Sequence, residues 1–200
     1  MNTIRLRGTC VSNMEFELEK NGELLFGFWL KVNRASGTED VIRVITRQEI
    51  NYKDQRVEVF GELRTYSSYE NHVNRLRLYV FAEEISVAET HFDKDTNILK
   101  VGGVITKKSK LRVTPLKRAL INFTVKVESG DKMNFIPCIA WENMIPKISA
   151  YDIGSHVLFW GRLQSRTYIK EWENGEIKPI MTHEVSVFDL IERKEGNKDE

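Results

Sequence analysis

Aromatic residues occur in two segments of the second half of this 200-residue sequence, and in the second of them they are interleaved with basic residues. Phe135 and Trp141 are six residues apart, so both rings lie on one face if their segment is a β-strand. The second segment leads into an Asn174-Gly175 turn, which is typical of a β-hairpin. Its rings and cations are Tyr168, Trp172, Arg166 and Lys170. Because rings stack on nucleobases and cations contact phosphates, both segments predict a surface that binds a nucleic-acid strand.

A run of cations lies upstream of these rings. Its members are Lys107, Lys108, Lys110 and Arg112, followed by Lys117 and Arg118. Such a run is usually a solvated surface, but it can also follow a phosphate backbone. We include Lys107, Lys108, Lys110 and Arg112 among the candidate binding residues.

The aromatic candidates also have a structural interpretation, because most aromatic residues on strands belong to the core. In the Phe135 strand, however, the more core-like set forms the opposite face: Ile136, Cys138 and Ala140. We therefore expect Phe135 and Trp141 to be exposed. Trp160 lies within an apolar segment and is interpreted as a core or interface residue.

Short runs of alternating apolar and polar residues extend through most of the chain. In one of them Phe28, Leu30 and Val32 alternate with other residues, and turn residues such as Asn21-Gly22 separate one run from the next. Period two over four to eight residues is a strand signal. The chain is therefore predicted to be all-β, a sandwich or a barrel.

The strand pattern occurs twice, in the same order. The matching segments are 4–8 with 99–103, 28–32 with 123–127, 59–63 with 159–163, and 84–87 with 184–187. The spacing is 95 residues for the first two pairs and 100 for the last two. We interpret the four ordered matches as an internal duplication.

The additional residues of the second copy lie after its third strand. Residues at helix-like intervals occur there, with Pro146 near a first turn: Met144, Ile145, Ile148 and Tyr151. The first copy has only a turn at the matching place. Five strands with a helix after the third describe an OB barrel, so we predict two tandem OB-fold five-stranded barrels with a short helix in the second.

Residues 97–190 resemble the bacterial and phage single-stranded DNA-binding protein family. The similar segments are 102–105, 123–127, 135–141, 154–168, 174–175 and 182–187, and the most specific is Gly161-Arg-Leu-Gln-Ser-Arg-Thr-Tyr168. The resemblance implies binding of single-stranded DNA without sequence preference, in replication, recombination or repair. It also implies that Phe135, Trp141 and Tyr168 stack on bases. Two joined units are half of the four-barrel assembly common in the family, which implies a homodimer.

The first copy departs from this pattern, because its residues matching Phe135 and Trp141 are not aromatic. Its candidate binding rings are Trp29, Tyr66 and Tyr69. Trp29 could equally be an interface residue, and the whole copy could serve only as a pairing partner for the second. We expect residues 1–90 to form a degenerate first OB domain, 97–190 the second, and 191–200 a short charged tail. Many family members recruit replication proteins through a tail with an aromatic tip, and this end has no aromatic residue.

The net charge of +1 conceals an uneven distribution. Residues 1–95 hold 13 Lys+Arg against 16 Asp+Glu, net −3, and residues 96–188 hold 14 against 8, net +6. Residues 189–200 hold 3 against 5, net −2. The basic copy also holds most of the stacking candidates, so the binding site is predicted mainly within residues 100–180.

Other classes of protein find little support. The four histidines are scattered, the two cysteines have no metal-ligand spacing, and there is no phosphate-binding glycine loop. No apolar run approaches the roughly 18 residues that cross a bilayer. We expect a non-enzymatic cytoplasmic protein without a metal, a cofactor or a membrane contact.

Two alternatives stay open. One is a protein-interaction OB module, such as a primosomal or phage accessory factor with weak or no DNA binding, for which replication proteins would be the partners. The other is RNA binding, because OB grooves accept either nucleic acid.

Overall fold

The computed structural model describes residues 1–70, 73–89, 94–130, 132–171 and 177–191. Six strands belong to the first half of the chain: β1 (Asn2–Cys10), β2 (Glu15–Lys20), β3 (Glu23–Asn33), β4 (Glu39–Thr46), β5 (Arg56–Glu70) and β6 (Val73–Val87). Six belong to the second half: β7 (Thr96–Lys108), β8 (Arg112–Val113), β9 (Ala119–Ser129), β10 (Lys132–Trp141), β11 (His156–Glu171) and β12 (Ile177–Leu190). A 3-10 turn (Glu142–Met144) and helix α1 (Ile145–Ser149) follow β10.

Each half closes into a barrel of five main strands. In the first, β1 pairs with β3, β3 with β4, β4 with β6, β6 with β5, and β5 with β1. The second repeats this circuit with β7, β9, β10, β12 and β11. In both circuits the pairing of the third and fifth main strands is parallel and the others are antiparallel. The predicted fold class, two tandem OB barrels with a short helix in the second, is confirmed.

The two barrels are joined strand to strand. β1 pairs antiparallel with β7, from Asn2 opposite Val101 to Arg7 opposite Thr96. This pairing links both barrels into one sheet of 12 strands, which begins at β2 and ends at β8. The first strand of one copy is thus the partner of the first strand of the other.

Side-chain alternation builds one core that extends through both barrels. In β10, Ile136, Cys138 and Ala140 are buried, as the sequence pattern predicts. Their counterparts in β4 include the buried Ile42 and Val44. Both cysteines are free thiols in this core, and burial raises the pKa of Cys138 well above its ordinary value.

A β-bulge recurs at the same place in both copies. The register shifts between Phe60 and Gly61 in β5 and between Trp160 and Gly161 in β11. A side chain at Gly61 would overlap the backbone oxygen of Phe81, and one at Gly161 would crowd that of Ser186. The bulge therefore requires glycine in both copies, which supports the internal duplication.

One of the predicted repeat matches is wrong. In the paired strands, Leu63 lies opposite Val80 and Leu163 opposite Val185, so the last strands correspond at a spacing of 105 rather than 100. Residues 84–87 are therefore not equivalent to 184–187. The physical reason is that the second hairpin is five residues longer than the first between these paired positions. The similar four-residue segments 84–87 and 184–187 obscured this difference.

Helix α1 is short and amphipathic. Pro146 lies in its first turn, and Ile148, together with Met144 just before it, faces the core. No helix in the described parts of the chain is long and apolar enough to cross a membrane.

Candidate nucleic-acid interface

The outer face of β10 carries two of the predicted rings. Phe135 is 41% exposed, and Trp141 is half-buried at the end of the same strand. The Arg118 guanidinium lies 4.5 Å from the centre of the Trp141 ring, a cation–π contact. Lys126 of β9 is directly opposite Phe135 in the register. Rings of β10 and cations in or just before β9 therefore share this face.

A groove of about 340 Å³ runs from the cation run towards the second hairpin. We call it the barrel-two groove, and its lining includes Lys107, Thr124, Pro137, Arg166 and Glu184. Arg166 is exposed, and its Nε atom is 3.9 Å from a carboxylate oxygen of Glu184. The Glu184 carboxylate also accepts a hydrogen bond from the side chain of Gln164, at 2.9 Å. Arg166 thus stays exposed at the groove, with Glu184 as a distant ion-pair partner.

Tyr168 lies on β11 beyond this groove. It is two residues from Arg166, so both side chains leave the same face of the strand, and Tyr168 is 42% exposed. Lys170 continues β11, but its side chain is not described. Trp172, the other predicted ring of this hairpin, lies outside the described residues.

The predicted cation run divides into two kinds of residue. Lys107, Lys110 and Arg112 are exposed and form no ion pair with the described part of the chain. Lys108 differs from the expectation. Its ammonium donates to the carbonyls of Ile148 at 3.0 Å, Ser149 at 3.1 Å and Tyr151 at 2.5 Å. A cation at a helix C-terminus satisfies carbonyls that have no partner within the helix, so the Lys108 charge is engaged in barrel structure.

Cations of the first barrel are largely compensated by acidic neighbours. Arg43 pairs with Glu17 and lies 3.8 Å from Glu15, and Arg47 pairs with Glu23 at 3.0 Å. Arg64 binds Glu62 at 2.5 Å and lies over the ring of Phe81. The matching face of the second barrel has fewer such pairs, in agreement with the uneven charge of the two halves.

The three predicted rings of the first barrel have different surroundings. Tyr69 is 70% exposed on β5. Tyr66 is also exposed, and its ring packs edge-on against Tyr79 with the ring centres 5.7 Å apart. Trp29 is half-buried, stacked on His183 of the second barrel at 6.3 Å with the Arg43 guanidinium 5.2 Å from its centre. Two side chains thus contact the Trp29 ring, and one of them comes from the second barrel, which places Trp29 at the contact between the barrels.

This contact opens into a larger groove of about 730 Å³, the inter-barrel groove. Residues of both barrels line it, including Trp29, Arg43, Tyr66, Tyr79, Lys178 and His183. His183 is 2.8 Å from the carbonyl oxygen of Val41 through Nε2. Since a carbonyl only accepts, Nε2 carries the proton in the neutral ring. Burial lowers the pKa of His183, although the bond to Val41 opposes that shift.

Sequence reasoning missed His183 and Tyr79. In the correct register, with a spacing of 105, His183 matches the buried Leu78 and Tyr79 matches Glu184. The sequence matches placed β12 in the wrong register against β6, so this correspondence between the two copies was not apparent. Its signal was the longer second hairpin, with 22 positions from Leu163 to Val185 against 17 from Leu63 to Val80.

Two equivalent bridges fix the barrels to each other. The Ser165 amide donates to Asp40 at 2.8 Å while the Val41 amide donates to the Ser165 hydroxyl at 3.0 Å. The Thr65 amide donates to Asn134 at 2.9 Å while the Phe135 amide donates to the Thr65 hydroxyl at 3.2 Å. Phe135 is therefore positioned by the first barrel.

The buried members of these bridges are not identical. Asp40 is fully buried, and Arg34 donates to its two oxygens at 2.8 and 2.5 Å. A buried carboxylate requires such a partner, whereas the neutral amide of Asn134 in the equivalent place does not. Among the described residues, no group of three or more His, Cys, Asp or Glu is arranged to hold a metal ion.

Comparisons with known proteins were made by sequence and by structure. No protein-family model matches the chain, and no curated protein is similar to it in sequence. The wild-type single-stranded DNA binding protein from Thermus aquaticus is similar in structure, with a TM-score of 0.75 and 20% identity, over 100% of this chain and 96% of that one. A deletion mutant of that protein gives a TM-score of 0.71 at 20% identity, over 99% and 98%.

A shorter match is the N-terminal domain of the PriB protein from Thermoanaerobacter tencongensis. It is 36% identical over 44% of this chain and 97% of that one, with a TM-score of 0.37. From the full-length matches we conclude that the chain has the fold of the Thermus aquaticus single-stranded DNA binding protein along its whole length.

Proposed function

We propose that this chain is a non-enzymatic protein that binds single-stranded DNA without sequence preference, through the second barrel. The observation that carries the proposal is the shared outer surface of Phe135, Trp141 and Tyr168 with the exposed cations beside them. Every base presents a face to a ring and every nucleotide a phosphate to a cation, so such a surface needs no particular sequence. The similarity in fold to the Thermus aquaticus protein supports the same ligand.

The strand follows the barrel-two groove in this proposal. Lys107, Lys110, Arg112 and Arg166 contact phosphates, and Phe135, Trp141 and Tyr168 stack on bases. The sequence pattern adds Lys170 and Trp172 to the proposed binding residues. Stacking contributes about 1–3 kcal/mol per base, and release of counterions from the phosphates makes the affinity depend on salt.

The first barrel has a supporting role. Acidic partners neutralise Arg43, Arg47 and Arg64, while the bridge from Thr65 positions the backbone of Phe135. Tyr66 and Tyr69 are exposed and extend the surface, whereas Trp29 supports the contact between the barrels. The degenerate copy thus serves mainly as a pairing partner.

A homodimer with four barrels is part of the proposal. Strands β5 and β11 flank the joined strands β1 and β7. Their outer side carries Phe60 and Trp160, which are both exposed and lie at equivalent positions of the two copies. Arg5 lies 5.2 Å from the ring centre of Phe60, and Lys100 lies 5.4 Å from that of Trp160. Exposed Ile98 and Phe188 enlarge this apolar face. A second copy would cover it, and sedimentation at micromolar concentration should give the mass of two chains.

Titration of intrinsic tryptophan fluorescence with oligo-dT tests the proposed ligand, because a base stacked on Trp141 quenches its emission. We expect quenching that saturates at low salt. A flat titration across several oligonucleotide lengths would reject the proposal. Competition with oligo-rU of equal length would separate DNA from RNA.

The compensated surface of the first barrel favours a second candidate function. A protein-interaction module with weak or no DNA binding would use that surface for a protein of DNA replication, recombination or repair. A flat oligo-dT titration together with a stable partner protein in a pull-down would support this candidate.

A further inference from the structure

The 12-stranded sheet ends in two strands of opposite charge. β2 is hydrogen-bonded only to β3, and β8 only to β9, within the parts of the chain that the structure describes. On its open side β2 therefore presents backbone N–H and C=O groups along six residues, and β8 along two. Such an edge is a template for another strand.

The two edges have complementary sequences. Residues 15–19 read Glu-Phe-Glu-Leu-Glu, with acidic and apolar residues in alternation, and residues 110–113 read Lys-Leu-Arg-Val. We call them the acidic edge and the basic edge. Alternating side chains point to opposite sides of a strand. If the two edges paired, cations would meet carboxylates on one side and apolar side chains would meet on the other.

The side chains needed for this pairing are on the surface. Phe16 and Leu18 are exposed on the acidic edge, and Leu111 and Val113 on the basic edge. Arg43 holds Glu17 and approaches Glu15 at 3.8 Å, while Glu19 is fully exposed. Lys110 and Arg112 have no carboxylate partner among the described residues. Each edge therefore keeps apolar area and charge of one sign.

We propose that the acidic edge of one molecule pairs antiparallel with the basic edge of a second copy. In that register Phe16 lies opposite Val113 and Glu17 opposite Arg112, the two residues of β8. Leu111 and Lys110, which precede β8, extend the pairing towards Leu18 and Glu19, beyond the bulge of β2 between Phe16 and Leu18. Opposite charges and apolar pairs across strands are each favourable, and like charges are unfavourable. Two acidic edges or two basic edges would repel each other, so the pairing joins unlike ends of the molecule.

A contact between unlike ends leaves one edge open at each end of the assembly. Copies then add head to tail, and the sheet continues from one molecule to the next. This assembly differs from the homodimer, which would cover the outer side of β1 and β7. It does not depend on DNA binding.

Sedimentation velocity over a concentration series of the full chain at low salt tests the inference. From the two chains expected at micromolar concentration, the wild-type mass should rise further as concentration increases. Glu17 lies opposite Arg112 in this register, so two variants reverse one edge each: Glu17→Lys with Glu19→Lys, and Lys110→Glu with Arg112→Glu. Either variant alone should associate about tenfold more weakly or worse, because opposite charges across the strands become like charges. An equimolar mixture of the two should recover association, since each supplies the edge that the other repels.

A matched control has Glu83→Lys with Glu128→Lys, which changes the net charge equally on exposed positions of β6 and β9, and it should associate like wild type. Without any variant, raising salt from roughly 0.05 to 0.5 M should weaken the wild-type association. Three results would each overturn the inference: a wild-type mass that never exceeds two chains, variants that associate like wild type, or a mixture of the two folded variants that does not recover association. The acid-reversed variant should still quench with oligo-dT, so loss of association is separable from loss of DNA binding.

Discussion

Trp141 and Trp160 are tryptophans of the same barrel that face different surroundings. Trp141 ends β10 beside Arg118, on the side of the proposed interface, whereas Trp160 lies beside Lys100 on the proposed dimer face. Both make a cation–π contact, so that contact alone does not identify a base-stacking ring. Their position in the fold makes the difference.

Replacing Trp141 with alanine should weaken oligo-dT binding by about 1–3 kcal/mol, the contribution of one stacked base. Fluorescence anisotropy of a labelled oligo-dT measures the affinity without relying on the missing tryptophan. Trp160→Ala is the matched control and should leave the affinity unchanged. Equal losses for the two variants would place the strand elsewhere.

His183 should give the protein a pH-dependent stability. Burial lowers the pKa of His183 from its ordinary value of 6.5, so the unfolded chain binds the proton more tightly than the folded one. The free energy of unfolding is therefore highest above pH 6.5 and falls as the pH drops below it. Thermal unfolding between about pH 7.5 and 5 measures this loss.

His183→Gln keeps an amide donor for the Val41 carbonyl but does not titrate, so it should lose less stability over that range. The exposed His156 is the control residue, and His156→Gln should retain the wild-type dependence. An identical pH dependence in wild type and His183→Gln would show that His183 is not the responsible group.

Adjacent residues of one element can have different tasks, as Lys107 and Lys108 at the end of β7 illustrate. Both line the barrel-two groove, but the Lys108 ammonium donates to the carbonyls at the end of α1, whereas Lys107 is exposed and has no ion-pair partner among the described residues. The sequence predicts both as phosphate contacts because only the position of α1 distinguishes them.

Lys107→Met should reduce the slope of log affinity against log salt by about 0.7, one phosphate contact, with little change in melting temperature. Lys108→Met should leave that slope unchanged and lower the stability by roughly 1–2 kcal/mol, since carbonyls lose a charged donor. Salt titrations and thermal melts of both variants make the comparison. The reverse assignment would be evident if Lys108→Met alone changed the slope.

Gly102 and Gly103 form a similar contrast in the middle of β7. A side chain at Gly103 would overlap the backbone oxygen of Lys126, whereas one at Gly102 would meet the flexible end of Leu158. Gly103→Ala should destabilise the protein by about 1–3 kcal/mol, as overpacking does, and Gly102→Ala by clearly less. Urea unfolding midpoints test the difference, and similar midpoints for both variants would contradict it.

Much of the fold could be predicted at the level of elements. Period-two alternation and the turn residues between runs predicted the strands, and the ordered matches predicted the duplication. Pro146 and the spacing of Ile148 predicted the helix. The pairing of β1 with β7 and the bridges through Ser165 and Thr65 could not be read from the chain, because they join residues that are far apart in sequence. The five-residue difference between the hairpins was missed because a match of only four alternating residues, 84–87 with 184–187, does not determine the register of a strand.

At the scale of the whole molecule, two similar barrels have unlike surfaces. Ion pairs neutralise the arginines of the first, and the second keeps exposed cations beside its rings. A net charge of +1 therefore coexists with a basic face suited to a phosphate chain. The acidic barrel contributes positioning, through the bridges that hold β10 and β11.

Titration of the full chain with oligo-dT at two salt concentrations tests the central proposal most directly. Stacking and phosphate contacts together predict saturable tryptophan quenching at both, with an affinity that falls steeply as salt rises, by a log–log slope of about −0.7 for each phosphate contact. Absence of quenching at low salt, or quenching with an affinity independent of salt, would contradict binding of single-stranded DNA by the basic barrel.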